Sequence, residues 1–249
     1  MAEILEDDAI ILQVKNWQDV NKYAICFTRE HGKIRFIAYG ARYTRNVQGR
    51  LLQPFAKLHI ELQLGQRIDK LRNCELLSMP QEMDMQQVGY AAVGTELTSL
   101  FTEDRQAQPE LYALLEQTLT ALKFRNPRLV ILSFAIKLLK IVGLAPQITA
   151  CVNCGLLLEN DADVKFSCQQ GGALCSDCSK NETDVDLDPC NFGLRQLWQW
   201  LEKLDYFQPA AFDVWGRDLM ALEKILYKFI YYQTDKHLNS LKFLHELQL

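Results

Sequence analysis

The 249-residue sequence has no long apolar run. Its longest, residues 129–136, is bounded by Arg128 and Lys137, whereas a membrane-spanning helix needs about 20 consecutive apolar residues. The first ten residues, MAEILEDDAI, are acidic and lack the basic start and apolar stretch of a secretory signal. These two absences predict a cytoplasmic protein without a membrane span.

Familiar catalytic signatures are also missing. The sequence contains no G-x-x-x-x-G-K-[ST], no G-x-G-x-x-G and no G-x-S-x-G. The four histidines are far apart, and His245 has no second histidine that would complete a zinc-protease motif. The one candidate for an open metal site is the acidic run Asp184, Asp186 and Asp188, which we interpret as a solvated connector with Asp188-Pro189 starting a helix. We therefore expect no catalytic residue and no enzyme activity, with a metal-dependent nuclease as an alternative.

Four of the eight cysteines form two C-x-x-C pairs, Cys151 with Cys154 and Cys175 with Cys178. Each pair lets one turn direct two sulfurs at one ion, as in tetrahedral Zn²⁺ sites. In a reducing compartment such pairs are metal ligands more often than disulfides. A Cys₄ shell leaves no open coordination position, so we predict a structural Zn²⁺ in a zinc loop at residues 148–180.

The other cysteines (Cys26, Cys74, Cys168 and Cys190) are scattered, and we expect them to be small buried hydrophobes. Cys168 lies inside the zinc loop and could compete for the metal, although it lacks a C-x-x-C partner.

Positive charge is concentrated near the amino terminus of a chain whose net charge is −4. Residues 1–80 contain twelve Lys/Arg against nine Asp/Glu, and residues 81–249 contain fifteen against twenty-two. The net charge argues against a generic nucleic-acid binder. The basic amino-terminal stretch nevertheless indicates a localised contact with a polyanion, or else a solvated face.

The hydrophobic pattern changes at Pro80. Before it, five β-rich runs at 9–14, 23–28, 34–39, 55–64 and 68–77 predict a small closed or partly closed barrel. After it, the predicted helices span 85–101, 109–124, 127–142, 190–204 and 216–234, and an amphipathic tail, 237–249, is expected to pack on them. The fold class is α+β, with a barrel domain at 1–80 and, at 81–249, an all-α helical domain into which a Cys₄ zinc-ribbon-like loop is inserted.

Period-two alternation along residues 33–39 separates an apolar face from a basic and aromatic one. The glycine-flanked loop that follows, GARYTRNVQGR, interleaves Arg and Tyr. Arginines can contact phosphates while tyrosines stack on bases, although a plain polar hairpin loop would have a similar composition. The residues that we expect to contact DNA are Lys33, Arg35, Tyr39, Arg42, Tyr43, Arg45 and Arg50.

A second group of cations lies around two predicted helices and comprises Lys123, Arg125, Arg128, Lys137 and Lys140. Beside apolar surface it could receive an acidic tail of a partner protein. The cations could equally do no more than solubilise a buried helix.

Together, the barrel, the helical body and the inserted Cys₄ loop resemble the bacterial RecO family of recombination mediators. The resemblance covers essentially the full chain. It rests on AIILQVKNWQDVNKYAICFTREHGKIRFIAYGARYTRNVQGRLLQPFAKL, on CELL at 74–77, on CVNCG and FSCQQGGALCSDC, and on FIYYQTDKHLNSLKFL at 229–244.

The resemblance implies an N-terminal OB-fold and a zinc-containing helical domain. It also implies binding to single- and double-stranded DNA, annealing of complementary strands, and assistance to RecA loading on DNA coated by single-stranded DNA-binding protein (SSB). The implied partners are RecR and SSB, whose acidic C-terminal tail would suit the second group of cations. Some relatives lack the zinc cysteines, which favours a stabilising metal. The competing interpretation is a non-catalytic scaffold whose barrel binds protein partners only.

Overall fold

The computed structural model describes residues 3–79, 83–159, 161, 163–182, 186–209 and 215–246. The chain divides into two compact units. Unit 1 comprises Met1–Pro127 and Leu238–Leu249, and unit 2 comprises Arg128–His237. Unit 2 is therefore one continuous insertion in the sequence of unit 1.

Unit 1 contains a closed barrel of five strands in the order β1-β2-β3-β5-β4. The strands are β1 (Ile4–Trp17), β2 (Asn21–Thr28), β3 (Gly32–Ala38), β4 (Lys57–Gln63) and β5 (Asp69–Ser78). All neighbours are antiparallel except β3 and β5, which pair in parallel over only two residues of each strand. The predicted N-terminal OB-type barrel is confirmed.

Alternation of side chains builds the barrel core, because every second residue of a strand points inward. Ala24 and Cys26 of β2, together with Ile34, Phe36 and Ala38 of β3, are buried in one apolar cluster. Burial raises the pKa of the Cys26 thiol, with a further contribution from the charge of Asp7, so this cysteine is held neutral as a core residue.

Unit 1 also contains the helices α1 (Val47–Leu51), α2 (Met85–Phe101), α3 (Pro109–Ala121) and α8 (Asn239–Glu246). A capping box formed by Asp84 and Gln87 starts α2. The predicted packing of the carboxyl-terminal tail on a helix is confirmed, because α8 lies against α2. Glu96 of α2 accepts hydrogen bonds from the backbone N–H groups of Asn239 and Ser240 at 2.9 and 2.8 Å, which satisfies the first turn of α8.

Unit 2 begins within α4 (Pro127–Ile141) and continues through β6 (Lys165–Ser167), β7 (Gly172–Leu174), α5 (Ser176–Lys180), β8 (Leu187–Pro189), α6 (Phe192–Lys203) and α7 (Gly216–Thr234). β6 lies between β7 and β8 in a three-stranded antiparallel sheet. Phe166 of β6 packs against Trp198 of α6 and Phe229 of α7, with ring centroids 6.5 and 5.8 Å away. One aromatic side chain thereby ties the sheet to the helices.

The interpretation of Asp188-Pro189 as a helix start is wrong. Both residues belong to β8 because they pair with β6, and α6 begins at Phe192 with Asn191 as its N-cap. Asn191 accepts a hydrogen bond from the backbone N–H of Leu194 at 2.7 Å. The start of α6 is therefore set by the capping side chain of Asn191 and not, as we expected, by Pro189.

None of the helices in the described part of the chain has the length and apolar character needed to cross a bilayer.

Candidate nucleic-acid interface and metal centre

Of the residues expected to contact DNA, Lys33 and Arg35 lie on the outward side of β3 and Tyr39 follows the strand directly, but these three differ in exposure. Arg35 and Tyr39 are exposed. Lys33 is only 6% exposed, and its ammonium donates to the backbone carbonyls of Ser99 and Thr102 at 2.7 and 2.5 Å. Burial lowers the pKa of Lys33, a shift that nearby carboxylates including Asp104 partly oppose. The expected exposure of Lys33 is wrong, because the end of α2 and the residues after it cover this end of the strand.

A row of cross-strand neighbours lies beside Arg35 on the outward side of the strands, with exposed lysines at its two ends and the half-buried Tyr23 and buried Ile37 between them. Lys15, Tyr23, Ile37 and Lys70 are consecutive cross-strand neighbours on β1, β2, β3 and β5. The ring of Trp17, 46% exposed, lies 6.1 Å from the ring of Tyr23.

Lys70 is exposed, and its ammonium lies 5.9 Å from the ring centroid of Tyr39. The side chains of Lys15, Trp17, Tyr23, Arg35, Tyr39 and Lys70 together form what we name the β1–β3 face. Period-two alternation on β1 and β2 could have placed Lys15, Trp17 and Tyr23 on this face, whereas Lys70 required the β3–β5 pairing.

The segment that follows β3 brings Arg42, Tyr43 and Arg45 to the end of the barrel at which β1 turns into β2. Arg42 donates from its backbone N–H to the Val20 carbonyl at 3.0 Å and from its guanidinium to the Asp19 carbonyl at 2.6 Å. These bonds hold the two turns side by side. Tyr43 is 51% exposed, so part of its ring is accessible to a ligand.

Arg50 lies apart from these residues, in the last turn of α1. Arg45 and Arg50 are both exposed, and within the described ranges neither guanidinium has a carboxylate partner. They are therefore cations available for phosphate at the same β3–β4 connection.

A different part of the barrel's outer surface is acidic. Glu6 lies opposite Glu61 on β1 and β4, and Asp8 lies opposite His59, which in turn lies opposite Glu75 of β5. Cations accompany these carboxylates, because Arg29 lies 3.8 Å from Asp8 and Arg72 lies 3.9 Å from Glu61. A polyanion therefore meets more attraction on the β1–β3 face than on this surface.

The four predicted zinc ligands converge in unit 2. Cys151 and Cys154 lie on one turn, Cys175 follows β7 directly, and Cys178 lies in α5. Their sulfur atoms lie within 4.8 Å of one another, and the sulfurs of Cys154 and Cys175 are 3.8 Å apart. A tetrahedron with Zn–S bonds of about 2.3 Å has sulfur–sulfur edges of about 3.8 Å. The cluster therefore has the size that a metal ion of this kind requires.

Hydrogen bonds within the cluster favour the thiolate form of one cysteine over that of its neighbours. Burial would raise the pKa of Cys151, but hydrogen bonds from the backbone of Cys175, Cys154 and Asn153 outweigh it and lower the pKa to about 6. Hydrogen bonding to the Cys175 thiol, with burial, raises the pKa of Cys178 to about 12. Without a metal, the site stabilises one thiolate at the expense of its neighbours, and four thiolates need a bound cation.

Backbone hydrogen bonds hold the segments that carry the two cysteine pairs side by side. Val152 donates to the carbonyl of Ala173 at 2.9 Å, and Ala173 donates to that of Gln147 at 2.7 Å. A Cβ on Gly172 would lie 2.3 Å from the Gln147 carbonyl oxygen, so only glycine allows this approach. Cys168 is buried and is not a member of the cluster.

The cations proposed to receive an acidic tail do not form one open group. Within unit 2, Arg128 pairs with Glu223 and Lys140 pairs with Glu202 at 2.6 Å. Lys137 lies with its ammonium 4.4 Å from the ring centroid of Tyr206. Lys123 and Arg125 belong to unit 1, where Lys123 is exposed and Arg125 is half-buried.

The acidic run considered for a nuclease is in contact with lysines. Asp188 is 5% exposed and accepts hydrogen bonds from Lys224 and Lys228, and Lys228 also contacts Asp186 at 2.5 Å. These lysines lower the pKa of Asp188 against the opposing effect of its burial. Asp184 lies outside the described residues. The interpretation of Asp188 as part of a solvated connector is wrong, because this carboxylate anchors β8 to α7.

Two models of known protein families together match most of the sequence. The family model for the recombination protein O N terminal region matches residues 1–80, and the model for its C terminal region matches residues 82–242. The chain is 29% identical over 250 residues to the DNA repair protein RecO of Symbiobacterium thermophilum, covering 97% of this chain and 96% of that protein. It is 26% identical over 249 residues to RecO of Moorella thermoacetica, covering 99% and 92%. With both family models matched in order, the chain belongs to the RecO family of DNA repair proteins.

Proposed function

We propose that this protein is a recombination mediator that binds single- and double-stranded DNA and anneals complementary strands. With RecR it would help to load RecA on SSB-coated DNA. The observation that carries the proposal is the β1–β3 face, where half-exposed Trp17 and Tyr39 stand beside Lys15, Arg35 and Lys70. OB-folds bind oligonucleotides through the face of their second and third strands and through adjacent loops. Its relatives, named DNA repair proteins, support this role.

Annealing by this surface needs no catalytic group. Aromatic rings stack on the unpaired bases of a single strand, while lysine and arginine neutralise the phosphates of two strands that would otherwise repel each other. Pairing withdraws the bases from the rings and removes the stacking contribution. The acidic remainder of the chain then favours release of the duplex product.

The zinc ion would be structural. Cys151, Cys154, Cys175 and Cys178 would hold it, and its bound charge would stabilise four thiolates at the base of the β6–β7 hairpin. Because a Cys₄ shell is complete, the metal provides no position for a substrate.

Residues 1–80 would provide the main DNA contacts, and residues 81–249, with the zinc loop at 148–180, would recruit partners. The acidic tail of SSB would bind around Lys123, which is exposed and lies two positions from the half-buried Arg125. The protein would work in the cytoplasm, associated with the nucleoid.

Fluorescence anisotropy with labelled single-stranded DNA across a salt series tests the proposal. Replacing Trp17 with Ala should weaken binding by about 1–3 kcal/mol, because the base that stacks on this ring would no longer have a partner. Replacing Arg45 and Arg50 together with Gln should flatten the salt dependence by about 0.7 in logarithmic slope for each phosphate that the protein no longer neutralises.

Tyr232→Ala is the matched control, because Tyr232 is a 54% exposed aromatic residue of unit 2. If Trp17→Ala binds as tightly as Tyr232→Ala, the β1–β3 face is not the binding surface. Salt-independent binding by the unmodified protein would exclude a phosphate-directed interface altogether.

A further inference from the structure

A short segment after α2 pairs with the first part of β3, which β5 does not reach. β5 pairs with β3 only at Phe36 and Ile37. Next to the earlier part of β3, Arg105 donates its backbone N–H to the Lys33 carbonyl at 2.9 Å, and Asp104 forms a parallel bridge with Lys33. Arg105 also pairs with the carboxylate of Asp69, which is 1% exposed. The backbone of Asp104 is therefore held firmly against β3.

This placement brings the Asp104 carboxylate onto the cations of β3. One oxygen lies 3.3 Å from Nε of Arg35, and the other lies 3.7 Å from the ammonium of Lys33. The side chains of Asp104 and Arg35 are 48% and 49% exposed, so solvent reaches the pair. A carboxylate at this distance uses the same guanidinium donors that would bind a phosphate.

We infer that Asp104 competes with the DNA backbone for Arg35 and so limits how tightly the β1–β3 face binds DNA. This inference rests on the proposed function. An exposed ion pair is weak, and an incoming phosphate can displace it. Once displaced, Asp104 still repels the phosphate that replaced it, which shortens the lifetime of the complex. A mediator that must release its annealed product is served by such a carboxylate.

Asp104 can be changed without disturbing the barrel. The Lys33 ammonium keeps its two carbonyl acceptors on Ser99 and Thr102, and the backbone bond from Arg105 to Lys33 does not involve the Asp104 side chain. Asp104→Asn also preserves side-chain size. Glu103→Gln removes the same charge from the neighbouring exposed residue, so it is a matched control for net charge.

The experiment measures anisotropy with labelled single-stranded DNA across a salt series for the full chain and four variants: Asp104→Asn, Glu103→Gln, Arg35→Gln, and Asp104→Asn with Arg35→Gln. At low salt we expect Asp104→Asn to bind about 3-fold more tightly and its logarithmic salt slope to steepen by about 0.7, because no carboxylate then opposes the contact between Arg35 and a phosphate. Arg35→Gln alone should change affinity less than 2-fold, because in the unmodified chain Asp104 offsets most of what the Arg35–phosphate contact contributes. The double variant should bind no more tightly than the unmodified chain.

Two results would overturn the inference while leaving the proposed function intact: Asp104→Asn binding no better than Glu103→Gln, or tighter binding that persists in the double variant. Absence of salt-dependent binding in the full chain and in Asp104→Asn alike would overturn both. Binding that is detectable only in Asp104→Asn would support the inference, because the carboxylate would then be the barrier. Thermal unfolding of each variant verifies that the barrel is intact.

Discussion

His59 shows how one side chain makes the barrel sensitive to pH. It lies on β4 opposite Asp8 of β1, with its Nδ1 3.0 Å from a carboxylate oxygen. That hydrogen bond, helped by the charges of Glu6 and Glu75, outweighs a small desolvation and raises the pKa of His59 above 6.5. Protonation of His59 is therefore more favourable in the folded barrel than in the unfolded chain.

The sign of the pH dependence follows from this shift. The stabilisation by His59 is complete below the unfolded pKa of about 6.5 and is lost as pH rises through the higher folded value. Because the side chain is 43% exposed, we expect His59→Gln to cost less than about 1 kcal/mol. Urea unfolding of both proteins at about pH 5.5 and about pH 8.5 should show the larger difference at the lower pH. An equal difference at both values would contradict this assignment.

Sequence alone predicts the direction of a side chain on a strand better than its exposure. Alternation correctly placed Arg35 and Tyr39 on the outer side of β3. Lys33 shares that side but is buried, because residues some seventy positions later in the chain, Ser99 and Thr102, supply its acceptors. No local pattern carries that information. Asp104 went unnoticed for the same reason, since its role depends on where the segment after α2 lies.

At the scale of elements, the β6–β7 hairpin connects the cysteine cluster to the packing of unit 2. β7 leads directly into Cys175, and its partner β6 places Phe166 between α6 and α7. A disordered hairpin would withdraw Phe166 from its aromatic neighbours, and loss of a buried aromatic side chain costs about 3–5 kcal/mol.

Substituting one ligand tests this connection. Cys175→Ser should abolish stoichiometric zinc and increase hydrogen exchange at β6, β7 and the facing parts of α6 and α7, because the metal no longer holds the hairpin. Zinc content and hydrogen exchange are measured on the same samples. Cys168→Ser is the control: it makes the same chemical change in the same loop, outside the sulfur cluster, and should keep its zinc. Retention of zinc by Cys175→Ser would refute the four-cysteine site.

Elements with strong local signals were predicted well. The bounds of α2 and α7 agree with the predicted ranges 85–101 and 216–234, and Pro109 marks the start of α3 as expected. β8 was misassigned because a three-residue strand carries almost no periodicity and exists through its pairing with β6. α1, a single short helix in the connection predicted to be a loop, was missed for a similar reason.

At the scale of the whole molecule, unit 1 depends on residues from both ends of the described chain. A chain ending at His237 would lack α8, and the face of α2 around Gly89 would lose its cover, including Leu244. We expect hydrogen exchange to rise in residues 1–127 and to remain near its original level in residues 128–237. Glu96→Gln should also destabilise unit 1. We expect it to lower the free energy of unfolding of this unit by about 1 kcal/mol, because it weakens the hydrogen bonds to Asn239 and Ser240. Destabilisation confined to unit 2 would contradict the division into units.

Residue patterns indicated the order of barrel, helices and zinc loop, but not this division. The change of periodicity at Pro80 coincides with the junction between the two family models. Compact packing instead groups α2, α3 and α8 with the barrel. Composition cannot reveal such grouping, because it arises from contacts between segments more than a hundred residues apart, such as Glu96 with Ser240.

The interrupted sequence of unit 1 has a consequence for biosynthesis. Domains generally fold as they leave the ribosome, amino-terminal parts first. Here the barrel and its first helices emerge early, but α8 is translated only after all of Arg128–His237. The inserted unit can fold while the first unit still lacks its last helix, so the part of the protein that is made first is completed last.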